Sequence, residues 1–279
     1  MRREVAALLF TGAANAWRCE GEMASWDPDV YALYRSYRER PALDLLTAIP
    51  RDLEPREIWD LGCGPGEQAA LLAARHPGAR VRGLDSSAEM LAKAARLTTR
   101  VEWLLGDIAA FEPDTPVDLI YSNAALHWVD DHANLLPRLA RTLAPGGVLA
   151  VQMPVVDNLG WRASLTEIAA KGPWRDRLAS IEGVRAAHGM SAYYAWLADS
   201  CSEIDIWTTT YLHALHGQDP IVDWTMGTTL RPYLDALDEG EKQAFLAAWR
   251  DRLAIDYPRR ADGVTLFPFN RVFIVARRG

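Results

Sequence analysis

The sequence predicts an α/β fold in which helices cover both faces of a parallel β-sheet, and three observations lead to this prediction. Short apolar segments alternate with helix-forming segments between residues 57 and 152. These apolar segments end at or near a polar residue, and the first one runs into a glycine-rich turn that is followed by a helix-forming segment. Parallel strands require such alternation, because the chain must cross back over the sheet before the next strand begins.

Composition restricts the class of protein. The 279 residues are 49% hydrophobic and 24% charged, which is typical of a soluble globular protein. The net charge of −7 disfavours a nucleic-acid partner, and no apolar run approaches transmembrane length. The three cysteines are scattered and odd in number, so neither a disulfide framework nor a zinc site is expected. We therefore expect a cytoplasmic protein without a bound metal and without a membrane or nucleic-acid partner.

The N-terminal residues form a separate prediction. Residues 1–16 contain two arginines, a short apolar run and an Ala-Asn-Ala ending, a pattern that mimics a signal peptide. Thr11 and Gly12 interrupt the apolar run, and a second methionine, Met23, follows. We expect residues 1–22 to be a weakly ordered extension rather than a secretion signal, and residues 23–279 to form a single domain.

The first strand and its turn are predicted within residues 57–66, EIWDLGCGPG, after a helix over residues 42–49. The apolar run ends at Asp60, and three alternating glycines follow, Gly62, Gly64 and Gly66. Glycine lets the backbone turn sharply and lets a ligand approach closely, and the next helix start offers unpaired N–H groups. A dinucleotide fingerprint would require glycine at position 67, where this chain has Glu67, so an NAD-dependent oxidoreductase is disfavoured.

The second strand is predicted at residues 80–85 and ends in Asp85, 25 residues after Asp60. An acid at this position of a βαβ unit can accept hydrogen bonds from both hydroxyls of a ribose. Ser86 would begin the next helix, with Glu89 three residues later in a capping-box pattern. The pattern predicts a nucleoside site at Asp85.

Three further strands are predicted at residues 101–105, 117–122 and 148–152. Asp107 follows the first of these and Asn123 follows the second. A helix over residues 131–143 and a turn at residues 144–147 precede the third. Ligands of parallel sheets bind outside the carboxyl ends of the strands. We therefore expect Asp107 and Asn123 to join the acids of the first two strands at one site.

Beyond residue 153 the alternation stops. Two more strands and two helical regions are predicted, at residues 203–212 and 271–277 for the strands and 161–200 and 219–257 for the helices. We expect the two strands to complete the sheet. The helical regions would form a lid over the strand ends, inserted at about residues 155–200 and 217–260.

Five segments together resemble the motifs of class I S-adenosylmethionine (SAM) methyltransferases: EIWDLGCGPG at 57–66, GLD at 83–85, GDI at 106–108, SNAALHW at 122–128 and LAPGGVLA at 143–150. The resemblance implies a Rossmann-like sheet, SAM as cofactor and S-adenosylhomocysteine as product. It implies that the glycine turn contacts the methionine part, that Asp85 holds the ribose and that Asp107 and Ile108 flank the adenine. The implied cofactor-binding residues are Asp60, Gly62, Gly64, Gly66, Asp85, Ser86, Asp107, Ile108 and Asn123.

Other segments are similar to the trans-aconitate 2-methyltransferase family, among them WDPDVY at 26–31, RERP at 38–41, TTLRPYL at 228–234 and YPRRADG at 257–263. The likeness spans residues 24–279 and includes the lid. It implies methyl transfer from SAM to a carboxylate oxygen of trans-aconitate. His127 departs from the glutamine that some members of the family carry before the tryptophan.

This reaction needs no catalytic acid or base, because a carboxylate with a pKa near ~4 is already ionised at neutral pH. Catalysis would then rest on positioning in a dry site. An acid with several charges needs cationic clamps, and arginine fits a carboxylate best. The candidate substrate-binding residues are Trp26, Tyr31, Arg38, His127, Trp128, Arg231 and Tyr257, with Arg40, Arg259 and Arg260 as further candidate clamps.

The sequence also fits other functions. The acceptor could be another small acid or the carboxylate of a malonyl thioester. The chain could also bind SAM without transferring a methyl group. Both a monomer and a dimer fit the sequence.

Overall fold

The computed structural model describes residues 35–155, 160–181, 188–226 and 229–279. The predicted N-terminal extension, residues 1–22, lies outside this part of the chain. Two candidate substrate-binding residues, Trp26 and Tyr31, lie outside it as well. Arg38 is placed on a helix, and only its backbone is described.

Seven strands form one sheet in the order β3-β2-β1-β4-β5-β7-β6. The strands are β1 (Glu57–Leu61), β2 (Arg80–Asp85), β3 (Glu102–Leu105), β4 (Val117–Asn123), β5 (Leu143–Pro154), β6 (Cys201–Leu215) and β7 (Thr265–Arg278). Strands β1 to β5 are parallel, and β7 lies antiparallel between β5 and β6. The predicted α/β fold is confirmed, and the two late strands do complete the sheet.

The helices of the described residues are α1 (Arg35–Ala48), α2 (Glu67–Arg75), α3 (Ala88–Ala94), α4 (His132–Thr142), α5 (Gly160–Lys171), α6 (Arg175–Leu178), α7 (Met190–Leu197), α8 (Pro220–Met226), α9 (Arg231–Asp235) and α10 (Glu239–Asp256). Two 3₁₀ turns, Ile108–Ala110 and Leu126–Trp128, follow β3 and β4. No helix in the described ranges is both long enough and apolar enough to cross a membrane.

Helices cover both faces of the parallel strands, as the buried apolar strand residues require. On one face, Leu45 of α1 and Leu72 of α2 pack with Tyr121 of β4. The Tyr121 hydroxyl donates a hydrogen bond to the Ala42 carbonyl at 3.0 Å, which fixes α1 against the sheet. On the other face, α4 packs against β5, and α7 packs against α4 and β6.

A second hydrophobic core, called the lid core below, joins the helices of the predicted lid. It contains four of the eleven tryptophans, Trp161, Trp174, Trp224 and Trp249, with Phe267 from the first half of β7. The Trp249 indole donates to the Ser164 hydroxyl at 3.1 Å, so its polar atom is satisfied inside this core. The predicted lid region 155–200 differs in one part, because α7 packs against α4 and the sheet instead of the lid core.

Two local predictions were wrong. The helix after β2 is capped by Ser87, whose hydroxyl accepts the Met90 N–H, and not by Ser86. The reason is that Asp85 accepts the Ser87 N–H and forms a turn, which moves the cap one residue along the chain. The predicted turn at 144–147 is instead a bulge inside β5, between the pairs Val117–Leu143 and Leu119–Val148.

Strands β6 and β7 are also longer than predicted. They pair over their whole length, from Cys201 and Arg278 at one end to Leu215 and Thr265 at the other. Their far ends leave the sheet region and enter the lid core, where Phe267 and Phe269 are buried. The lid core is therefore built on an extension of the sheet itself.

Candidate functional site

The turn after β1 is tied to the carboxyl end of β2. The Gly62 N–H donates to the Leu84 carbonyl at 2.8 Å. Asp85 accepts the Gly64 N–H on Oδ2 at 2.7 Å and the Ser87 N–H on Oδ1 at 2.8 Å. Both carboxylate oxygens are thereby fixed, and each keeps a lone pair with which it can accept a ligand hydroxyl.

Gly64 and Gly66 of the turn are both glycine, but the space around their Cα atoms differs. Both have positive φ, 53° at Gly64 and 85° at Gly66. A Cβ on Gly66 would lie 2.4 Å from the Trp103 ring, so the fold itself requires glycine there. A Cβ on Gly64 would meet nothing within 4 Å, so this part of the turn presents open backbone to a ligand.

Asp60, at the end of β1, is a buried acid. Its side chain is 2% exposed, and its Oδ2 atom has no hydrogen-bond partner. Burial raises the Asp60 pKa to about 8, and the nearby charge of Asp85 contributes to the increase. A cationic ligand group next to Asp60 would favour its ionised form and supply the missing partner.

The residues after β3 flank the same edge. Asp107 is exposed and accepts the Ala109 N–H on Oδ1 at 2.8 Å, which caps the 3₁₀ turn. Ile108 is buried, and its Cδ1 lies 3.4 Å from the position that a Gly62 Cβ would take. Ser86 is exposed in the turn after Asp85. These residues surround the glycine turn from the β2 and β3 side.

Beyond Asn123, the 3₁₀ turn after β4 carries two of the candidate substrate-binding residues. His127 is 6% exposed, and its Nδ1 has no partner. Burial lowers the His127 pKa to about 3, with contributions from Arg271 and His132, so the imidazole is neutral. The Trp128 ring lies 4.8 Å from that of His127 and is 57% exposed.

The lid candidates lie in different surroundings. Arg231 is 76% exposed and pairs with Asp235 at 3.7 Å, one turn along α9. The pKa of the exposed Glu89 is lowered mainly by its hydrogen bond to Lys93, and the charge of Arg231 contributes to the decrease. The Tyr257 hydroxyl accepts the Trp161 N–H at 3.1 Å and so connects the end of α10 to the start of α5.

The remaining candidate arginines lie at the surface. Arg40 is exposed and lies 4.0 Å from Asp44. Arg259 donates to the Gly263 carbonyl at 3.0 Å, and Arg260 pairs with Asp262 at 3.2 Å. The bonds of Arg259 and Arg260 stabilise the turn before β7.

Sequence reasoning missed two buried polar residues at this edge, Gln152 of β5 and Arg271 of β7. A signal for Gln152 was present, since it is a polar residue inside the apolar run VLAVQM. Arg271 opens the predicted last strand, and its position at the site depends on the long pairing of β7 with β5. In the ranges that the structure describes, no group of three or more His, Cys, Asp or Glu residues could hold a metal ion.

Comparisons with known proteins cover both halves of the chain. A family model described as a methyltransferase domain matches residues 58–147. The chain is 47% identical over 259 residues to a trans-aconitate 2-methyltransferase of Methylobacterium nodulans. The aligned residues cover 92% of this chain and 99% of the relative. A protein of the same name from Azoarcus sp. is 45% identical over 256 residues, 92% of this chain and 100% of the relative.

Solved structures are similar at lower sequence identity. The YcgJ protein of Bacillus subtilis superposes with a TM-score of 0.56 at 17% identity, over 86% of this chain and 98% of that one. A phosphoethanolamine N-methyltransferase 2 of Haemonchus contortus, in complex with S-adenosylhomocysteine and phosphomonomethylethanolamine, gives a TM-score of 0.53 at 18% identity, over 86% of this chain and 52% of that one. At such identities the likeness shows the fold alone.

Proposed function

The chain belongs to the trans-aconitate 2-methyltransferase family, and from this membership we propose that it transfers a methyl group from SAM to a carboxylate of trans-aconitate. The observation that carries the proposal is 47% identity over 99% of a relative's length. That match includes the lid as well as the SAM-type sheet. Shared sequence in the helices outside the sheet supports a shared acceptor.

The residues at the strand ends fit SAM, which supplies an electrophilic methyl group on a sulfonium when bound. Gly64 leaves open backbone beside the turn, with Gly62 and Gly66 shaping it. Asp85 would accept the ribose hydroxyls through its remaining lone pairs. The unpartnered Oδ2 of Asp60 suits the amino group of the methionine part. Asp107 and Ile108 would flank the adenine, with Ser86 and Asn123 completing the set.

The acceptor carboxylate is ionised at neutral pH and is itself the nucleophile, so no residue has to remove a proton. The chain contributes by holding the reacting oxygen in line with the methyl group and by excluding water. His127 is neutral and can donate one hydrogen bond to the acceptor without forming a competing ion pair. Trp26, Tyr31, Arg38, Trp128, Arg231 and Tyr257 remain proposed acceptor-binding residues.

The proposal extends to the organisation of the chain. Residues 23–279 would form one methyltransferase domain, and residues 1–22 would be a dispensable extension. The partner would be a small acid, in the cytoplasm, with the protein a monomer or a dimer.

A product analysis tests the reaction. The full chain is incubated with methyl-labelled SAM and, in turn, trans-aconitate, cis-aconitate, citrate and malonyl-coenzyme A, and the labelled product is identified by mass spectrometry. We expect one methyl ester of trans-aconitate to form with one equivalent of S-adenosylhomocysteine. Transfer to the malonyl thioester alone would identify a different acceptor. SAM binding without transfer to any acid would show a non-catalytic SAM-binding protein.

A further inference from the structure

The last strand returns to the carboxyl ends of the parallel strands and places an arginine there. In the pairing of β7 with β5, Arg271 lies opposite Pro154 and Phe273 lies opposite Gln152. On its other side, Gln152 is in register with Asn123 of β4. Paired residues of neighbouring strands share a face of the sheet, as do residues two apart along one strand. Asn123, Gln152 and Arg271 therefore share one face at the edge where β4 and β5 end.

The two amide side chains of this group have buried polar atoms without hydrogen bonds. Gln152 is 0% exposed, and neither its Oε1 nor its Nε2 has a partner. The buried Oδ1 of Asn123 also has none. Unpaired buried polar atoms are costly and few remain in native proteins, so they point to a ligand. Of these atoms, Nε2 of Gln152 is the donor that a carboxylate can accept from.

Arg271 brings a buried positive charge to the same place. Its side chain is 7% exposed, and its guanidinium carbon lies 4.6 Å from the centre of the Phe269 ring. After burial, the Arg271 charge is the next cause that lowers the pKa of His127 to about 3 and that of His213 to about 4. Both imidazoles are therefore neutral at physiological pH. A carboxylate that entered this buried region would meet the guanidinium in surroundings of low dielectric constant, where the attraction is strong.

We propose that Arg271, with Gln152 beside it, binds a carboxylate of the acceptor that is not methylated. The inference rests on the proposed function, because it requires an acceptor with more than one carboxylate. Trans-aconitate has three, of which one takes the methyl group while the others must be held. The guanidinium fork matches a carboxylate in two parallel hydrogen bonds, and the Gln152 amide can donate a further one.

The test uses the full chain saturated with S-adenosylhomocysteine, and calorimetry measures the binding of trans-aconitate. Turnover is measured in parallel with SAM. Arg271→Lys keeps the charge and loses the fork. We expect this variant to bind trans-aconitate at least about 10-fold more weakly and to lose kcat/KM to the same degree, mainly through KM. Its affinity for S-adenosylhomocysteine should stay within about twofold of the parent, since a clamp for the acceptor does not touch the cofactor.

A second arginine of the same strand provides the control. Arg277 pairs with Asp52 at 2.9 Å and lies at the opposite end of β7, opposite Val148. Arg277→Lys makes the same chemical change on the same strand, away from the strand ends. We expect it to leave both the binding of trans-aconitate and turnover unchanged.

Gln152→Met separates a binding role from a structural one. The substitution keeps the volume and removes the unpartnered amide, so we expect the melting temperature to stay the same or rise. The dissociation constant for trans-aconitate should increase at least about fivefold, through the lost hydrogen bonds. A purely structural glutamine would give the reverse, a lower melting temperature and unchanged binding.

The outcomes distinguish this inference from the proposed function. If the parent methylates trans-aconitate and both variants bind it as well as the parent does, the inference is wrong and the function stands. If the parent binds trans-aconitate through Arg271 without methylating it, the inference stands and the function is wrong. If the parent neither binds nor methylates trans-aconitate, both the inference and the proposed function are wrong. If Arg271→Lys does not fold, the result for Gln152→Met decides.

Discussion

Asp85 is held by the backbone on both of its carboxylate oxygens, through the N–H groups of Gly64 and Ser87. Asp118, at the opposite edge of the sheet, also accepts two backbone N–H groups, but on a single oxygen, Oδ2, from Arg56 and Glu57 at 2.8 and 2.9 Å. Only Asp85 lies beside the open glycine turn. The two acids therefore have similar structural roles and differ in their access to a ligand.

Asp85→Ala should weaken SAM binding by roughly 1–3 kcal/mol, because charge-assisted hydrogen bonds to the ribose hydroxyls are lost. Calorimetry with SAM measures the effect. The control is Asp118→Ala, which removes the same number of backbone hydrogen bonds and should lower the melting temperature without changing the SAM affinity. An Asp85→Ala variant with parental SAM affinity would remove this residue from the site.

At the scale of single elements, α9 is short and begins where the chain bends. Pro232 occupies its first turn, where the missing N–H costs nothing, and the helix runs only from Arg231 to Asp235. The residue before a proline disfavours a continuous helix, which agrees with the short length of α9. An exposed arginine such as Arg231 can form a surface ion pair with Asp235 or bind a carboxylate of the acceptor.

Arg231→Lys tests whether Arg231 is a clamp for a second carboxylate. Lysine keeps the charge but loses the bidentate fork, so catalytic efficiency toward trans-aconitate should fall about 10-fold or more, equivalent to about 1.4 kcal/mol, with SAM affinity almost unchanged. Steady-state kinetics at saturating SAM provide the measurement. A Lys variant that turns over trans-aconitate like the parent would leave Arg231 as a surface residue, worth little to stability or catalysis.

Two further variants complete this experiment. Asp235→Ala removes the partner of Arg231 at 3.7 Å and should not lower kcat/KM if the arginine serves the acceptor. Arg177→Lys changes another exposed lid arginine, which pairs with Glu241 at 2.7 Å, and should have no effect on kinetics. Equal losses in Arg231→Lys and Arg177→Lys would indicate a general effect on the lid.

At the scale of the whole molecule, the separation of the site residues along the sequence determined which of them could be predicted to lie together. Asp60, Asp85 and the glycine turn belong to one βαβ unit, so local spacing was enough to bring them together. Arg271 reaches the site only because β7 inserts antiparallel between β5 and β6. No local pattern encodes that insertion. Gln152 did carry a local signal, as a polar residue in an apolar run, but its significance depends on what lies next to its strand.

The buried titratable groups also make the stability of the whole molecule depend on pH in two directions. Asp60 has its pKa raised from 3.8 to about 8, so between these values the folded chain binds a proton that the unfolded chain does not. His127 and His213 have their pKa lowered from 6.5 to about 3 and about 4, so below pH 6.5 the unfolded chain binds two protons that the folded chain does not. Stability rises with pH wherever the unfolded state binds more protons.

These shifts predict a maximum of stability near pH 6.5. Between about pH 4 and 6.5 the two histidines outweigh Asp60, so the free energy of unfolding rises with pH by up to about 1.4 kcal/mol per unit. Above pH 6.5 the histidines are neutral in both states, and stability falls as the pH rises toward the Asp60 pKa of about 8.

Urea unfolding of the ligand-free chain at pH 5 to 8.5 measures both the rising and the falling part of this pH profile. Asp60→Asn should abolish the alkaline limb, whereas Asp107→Asn, which changes an exposed acid at the same edge, should keep it. An alkaline limb that persists in Asp60→Asn would show that Asp60 is ionised in the ligand-free protein.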